Sequence, residues 1–133
     1  MKSYIPEKVV VFDISEIVKK INENKVMPMD VPAVCRIINE LSRKYCVILI
    51  PQKVLNEIRS LSDISARQVL RYVLSNDKVI IKDYMYKNEC MNDDELLVFD
   101  FAQHASKEFK CPVEVIACDT YFCTRVRYTI ADF

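Results

Sequence analysis

Acids stand at four places where a folded chain tends to gather side chains: Asp13, Glu57, Asp93 with Asp94 beside it, and Asp119. Asp13 closes the apolar run V-V-V-F-D, and Asp119 closes V-E-V-I-A-C-D. Glu57 follows the run C-V-I-L-I within P-Q-K-V-L-N-E-I, and Asp93 and Asp94 lie in N-D-D-E-L-L. Carboxylates held close together repel one another, so a cluster of them is costly without a cation. Mg²⁺ or Mn²⁺ resolves the repulsion, because hard cations prefer oxygen ligands. An ion so held can activate a water and stabilise charge on a phosphodiester in transit.

The composition removes the main alternatives. The chain has no Gly, which excludes the phosphate loop, the dinucleotide fingerprint and the G-x-S-x-G elbow. Its one His, His104, lies mid-helix and reads as a surface or boundary residue. Cys35, Cys46, Cys90, Cys111, Cys118 and Cys123 form no C-x-x-C pair. Cys111, Cys118 and Cys123 have no common zinc spacing, and buried free thiols are the expectation. Carboxylates are the chemical resource that remains.

These acids need elements to carry them. With 133 residues, half of them apolar, the chain is long enough for one domain, 1–133, with a real core. Val9–Phe12, Cys46–Ile50, Val79–Ile81 and Val113–Cys118 read as strands, dense in β-branched residues and too continuous to alternate. Ser15 caps a helix running to about Asn24. A second helix starts near Val31 or Pro32, with Val34, Ile37, Ile38 and Leu41 on one face. Pro51 stops the second strand, and a short helix follows to Leu61. Ser65 opens a capping box, and so does Asn92, which begins the longest helix, to about Phe109. Asp119 or Thr120 caps a last helical segment containing Phe122 and Val126, and Tyr128–Ile130 reads as a last short strand. Alternating strands and helices predict an α/β fold with three α/β/α layers around a mostly parallel sheet. Parallel strands joined by right-handed crossovers put Asp13 and Asp119 on one sheet edge, where such sheets bind ligands.

Capping competes with metal binding as a reason for these acids. Asp at a helix N-terminus is favoured by the dipole alone. Asp93, Asp94 and Asp119 all suit that role, Glu57 suits a solvated helix, and Asp13 suits a turn. Their joint placement at one edge is what brings the metal reading level with capping.

Taken together, the four motifs resemble the PIN domain family of metal-dependent ribonucleases over nearly the whole chain. V-V-V-F-D-I-S is similar to that family's first strand, with its Asp and a small polar residue two positions on. I-L-I-P-Q-K-V-L-N-E-I is similar to the second strand and the Glu-bearing helix, N-D-D-E-L-L to the third acidic motif, and V-I-A-C-D-T-Y-F to the last. The resemblance implies a PIN-like fold and an acidic pocket binding Mg²⁺ or Mn²⁺. The activity it implies is endoribonuclease cleavage of single-stranded RNA. Asp13, Glu57, Asp93 and Asp119 would be the catalytic set, with Asp13, Asp93 and Asp119 on the metal. Ser15 and Asp94 would support them. Asp93 is preferred to Asp94 because the family's Asp tends to precede an aliphatic residue by three positions, here Leu96. Ser15 replaces a frequent Asn. Ala117 replaces a hydroxyl residue two positions before the last Asp, which favours a second reading: a PIN-like RNA- or protein-binding module with weak or lost catalysis. A phosphotransfer enzyme with an Asp nucleophile would want another Asp at position 15, where Ser15 stands.

Arg59, Arg125 and Arg127 are candidates for phosphate contact, weighed against an ordinary solvated role. The expected partners are single-stranded or structured RNA, a protein such as an antitoxin or a processing complex, and, by family analogy, a second copy in a homodimer. Lys+Arg and Asp+Glu are both 19, so the net charge is zero and the chain cannot coat nucleic acid by overall charge. No apolar run approaches the ~20 residues of a membrane span, and the first residues lack a signal-peptide core, so an intracellular, cytoplasmic protein is expected.

Overall fold

The computed structural model describes residues 8–13, 30–60, 64–84, 94–120 and 123–131. Five strands form one sheet: β1 (Val9–Asp13), β2 (Val47–Pro51), β3 (Val79–Lys82), β4 (Val113–Thr120) and β5 (Cys123–Ile130). Four helices are described: α1 (Asp30–Lys44), α2 (Gln52–Ser60), α3 (Ile64–Ser75) and α4 (Asp94–Phe109). The expected helix after Ser15 lies outside the described residues.

The strand order is β3-β2-β1-β4-β5, with β1 in the centre. The first four strands run parallel, and β5 returns antiparallel along β4. The α/β class and the mostly parallel sheet are therefore as the sequence predicts. β1 and β2 are buried along their whole length, as strands covered on both faces must be. β3, at the sheet edge, is only half-buried.

Alternation along β1 divides the core in two. Val10 and Phe12 pack with Ile48 and Ile50 against Ile37, Ile38 and Leu41 of α1, Leu55 and Ile58 of α2, and Val69 and Val73 of α3. Val9 and Val11 pack with Leu49, Val113 and Val115 against Val98, Phe101, Ala102 and Ala105 of α4. Among the described residues, the sheet thus lies between three helices on one face and one on the other. Burying this much aliphatic surface is the main source of stability.

α4 is also held laterally. Lys82 Nζ lies 2.6 Å from Glu108 Oε1, and Tyr84 donates its hydroxyl hydrogen to the same carboxylate. Burial alone would raise the Glu108 pKa, but the bonds from Lys82 and Tyr84 and the Lys82 charge outweigh it and hold the carboxyl low. The Tyr84 ring meets Phe101 edge-on at 4.9 Å and stacks on His104 at 5.5 Å. His104 is half-buried, a boundary residue as expected, with Nε2 3.5 Å from Asp100 Oδ2. In the opposite layer Tyr45 donates to Glu114, joining the end of α1 to β4. Burial, and then the Glu114 bond and charge, push the Tyr45 phenol pKa up.

A chain without glycine must end its helices some other way. Lys110, just after α4, takes φ 53°, the left-handed position usually filled by Gly. A Cβ there costs roughly 1–2 kcal/mol. Lys110→Gly is expected to stabilise the fold by about 1 kcal/mol, read as a higher urea midpoint at unchanged m-value. An unchanged or lower midpoint would contradict this account of the turn.

Several local expectations need correction. Pro51 does not stop β2 but is its last residue, paired with Lys82; the end of a strand tolerates a missing N–H. Ser65 is not a cap, because α3 already begins at Ile64. Cys46 is exposed rather than buried, in the bend before β2. Cys111 is buried, and burial raises its thiol pKa. The last helical segment does not form. β4 continues through Asp119 to Thr120, and Phe122 lies outside the described residues between β4 and β5. Val126 belongs to β5, paired with Ile116.

Candidate metal centre at the carboxyl edge

Asp13 is the last residue of β1 and is 5% exposed, a buried carboxylate. Val9 and Val11 face α4, so alternation puts Asp13 on the same side of the sheet. Its neighbours in the sheet come from two directions. The chain leaves β1 towards β2 and β3, then crosses back to β4 on the other side of β1. That reversal opens the crevice in which open α/β sheets bind ligands. Asp13 pairs in register with Ala117 of β4, directly at the reversal.

Asp119 lies two residues beyond Ala117. At a rise of about 3.3 Å per residue, its backbone is about 7 Å further out on the adjacent strand. The β4–β5 ladder shifts register between Cys118, paired with Thr124, and Thr120, paired with Cys123; that step contains Asp119. Such irregularities interrupt the ladder and re-aim the chain, often beside functional sites. Asp119 is thus a strand residue in an irregular step, where the sequence suggested a strand end or a helix cap.

Asp94 is the first residue of α4, and Asp93 lies just outside the described residues. α4 follows β3 and leads back to β4, which is parallel to it, so its N-terminus faces the carboxyl edge. The hydrogen bond from Ser106 Oγ to the Cys111 carbonyl, 3.1 Å, ties its other end to the start of β4. The topology therefore brings the ends of β1 and α4 and the outer part of β4 to one edge.

Glu57 reaches that edge from the other layer. α2 begins at Gln52 with no residue between it and β2, so its first turns leave the carboxyl edge directly. Leu55 and Ile58 anchor it against the Phe12 face, and Glu57 between them is half-buried. Asp13 and Glu57 thus belong to opposite faces that meet at one edge. Arg59 is exposed near the end of α2, and Arg125 and Arg127 lie on β5. Ser15 is outside the described residues.

The donors available at this edge are carboxylate oxygens, which suits Mg²⁺ or Mn²⁺ rather than a softer metal. A carboxylate as buried as Asp13 needs compensation for lost hydration, which hydrogen-bond donors or a cation can supply. Among the described residues no three His, Cys, Asp or Glu side chains form a group able to hold a metal; the side chains of Asp93, Asp94 and Asp119 are outside that set. Sequence reasoning overlooked Ala117 as the direct sheet neighbour of Asp13. It also overlooked the cations of α3, which no motif marks. No helix among the described residues is long and apolar enough to cross a membrane. Comparison with protein-family models, with curated proteins and with solved structures finds no match to this chain.

Proposed function

We propose that this chain is a PIN-like, metal-dependent endoribonuclease acting on single-stranded RNA inside the cell. The observation that carries the reading is Asp13, a buried carboxylate ending the central strand at the reversal of strand order. Asp13, Asp93 and Asp119 would hold Mg²⁺ or Mn²⁺, with Asp94 and Ser15 in support. When bound, the ion supplies a polarised water and neutralises charge on the phosphate. Glu57, arriving from the α2 side, orients the attacking water and accepts its proton. The water oxygen bonds to phosphorus, one ester P–O bond breaks, and the departing oxygen takes up a proton. Arg59, Arg125 and Arg127 contact flanking phosphates.

One observation favours the second reading, a PIN-like module that binds RNA or a protein with little turnover. Ala117, beside Asp13, is buried and offers no side-chain hydrogen bond where a hydroxyl would help position a metal-bound carboxylate. The two readings separate in a cleavage assay on a fluorophore–quencher single-stranded RNA with Mn²⁺, with Mg²⁺ and with EDTA. The nuclease reading expects metal-dependent cleavage that EDTA abolishes. Binding without cleavage under every metal condition would establish the module instead.

A further inference from the structure

An acidic pocket repels the polyanion it is proposed to cut, and a chain of zero net charge does not draw RNA in by overall field. The charge is not evenly spread, however. The layer of α1, α2 and α3 carries seven basic and three acidic residues. On the opposite face α4, the one helix described there, carries one basic and four acidic residues. Among the described residues of α2 and α3, every exposed charged side chain is basic: Lys53, Arg59, Arg67 and Arg71.

Arg67 and Arg71 stand at i and i+4, about 5–6 Å apart at Cβ, a like-charge spacing that destabilises a helix by a few tenths of a kcal/mol. α3 itself contains no acidic residue. α2, which carries Lys53 in its first turn, starts at the carboxyl edge and packs against α3.

We propose that the outer face of α2 and α3, centred on Arg67 and Arg71, is the surface along which an RNA strand is held and led to the carboxyl edge. The proposal rests on the ribonuclease reading and adds a direction to it. The acidic α4 side repels the strand, so RNA approaches over the three-helix layer. The occupant is a phosphodiester chain, because the exposed charged side chains of both helices are all positive. Ile64 and Leu74, 73% and 48% exposed at the two ends of the same stripe, are the feature an acidic amphipathic protein segment would use instead.

The test is anisotropy of a labelled 15-nucleotide polyuridine RNA in EDTA, where no cleavage occurs, from 50 to 200 mM salt. Arg67→Glu/Arg71→Glu is expected to weaken binding about 10-fold or more and to flatten the log–log salt slope by about 1.4, the share of two phosphate contacts on a single strand. Lys110→Glu, beyond α4, is expected to change binding less than 2-fold. Arg67→Gln/Arg71→Gln, checked for an unchanged thermal midpoint, should show a smaller loss in the same direction. Equal binding by wild type and both double variants overturns the proposal, as does an equal loss in Lys110→Glu. Polyglutamate binding to wild type in place of RNA also overturns it and assigns the stripe to a protein partner. Since these readings use no metal, a protein that binds RNA through Arg67 and Arg71 but never cuts it refutes the nuclease reading alone. A protein that cuts RNA equally well with and without these arginines refutes only this surface.

Discussion

Asp13→Asn is expected to lower metal-dependent RNA cleavage by at least about 100-fold, the loss typical of removing one preorganised electrostatic group from an active site. The substitution keeps size and shape but removes the negative charge at the centre of the pocket. Its effect on stability should run the other way. Where several carboxylates converge without metal, each raises the cost of its neighbours, and neutralising one relieves that cost. In EDTA the variant should therefore be as stable as wild type or more so, and in Mn²⁺ it should gain less stability than wild type. An acid that served only in a turn would give a different pair of results. Cleavage would survive Asp13→Asn, and added Mn²⁺ would stabilise both proteins equally. Urea unfolding with and without Mn²⁺, run beside the cleavage assay, distinguishes the two.

The largest expected effect on stability comes from Phe101→Ala. Phe101 is fully buried beneath α4, packed against Val9, Val11, Val113 and Val115 and met edge-on by Tyr84. Truncating a buried Phe to Ala typically costs about 3–5 kcal/mol, through lost transfer energy and the cavity left behind. That is a large share of the stability of a domain this size. The consequence extends to the site, because Phe101 lies two turns from Asp94 and anchors the helix that presents the third acidic motif. Equilibrium urea denaturation should show a loss within this range. A loss below about 1 kcal/mol would mean that α4 does not pack on the sheet as described.

The central elements were legible because their residues have few other uses. V-V-V-F and V-I-L-I suit only strands covered on both faces, and both are buried throughout. Ile37, Ile38 and Leu41 stand at helical spacing, and all three are buried on one side of α1. The last strand was read only at Tyr128–Ile130, and the stretch before it as a helix, because Asp119 and Thr120 look like a cap and a cap implies a helix. The competing signal was present. Val126, Tyr128 and Ile130 alternate with Arg125, Arg127 and Thr129, which is the period of a half-exposed edge strand. Tertiary pairing with β4 overrode the local cap. Pro51 misled for a similar reason, since proline stops a strand only where its missing N–H is needed.

The site was legible as far as topology carries it. A burst of β-branched residues ending in Asp predicts an acid at a strand end, and Asp13 is one, buried at 5% exposure. No residue pattern states that β4 pairs with β1 rather than with β3, yet that pairing puts Ala117 beside Asp13 and Asp119 one step beyond. Nor does local sequence announce the division of charge between the helical layers. Net charge is a sum, and it conceals a basic excess in α1, α2 and α3 and an acidic excess in α4.

The most direct measurement is a crystal of this chain soaked in Mn²⁺ and recorded at the manganese absorption edge. The account predicts an anomalous peak at the carboxyl edge of the sheet, within ligand distance of carboxylate oxygens of Asp13, Asp119 and Asp93 or Asp94. Manganese bound elsewhere, or no peak at that edge at millimolar Mn²⁺, would contradict it.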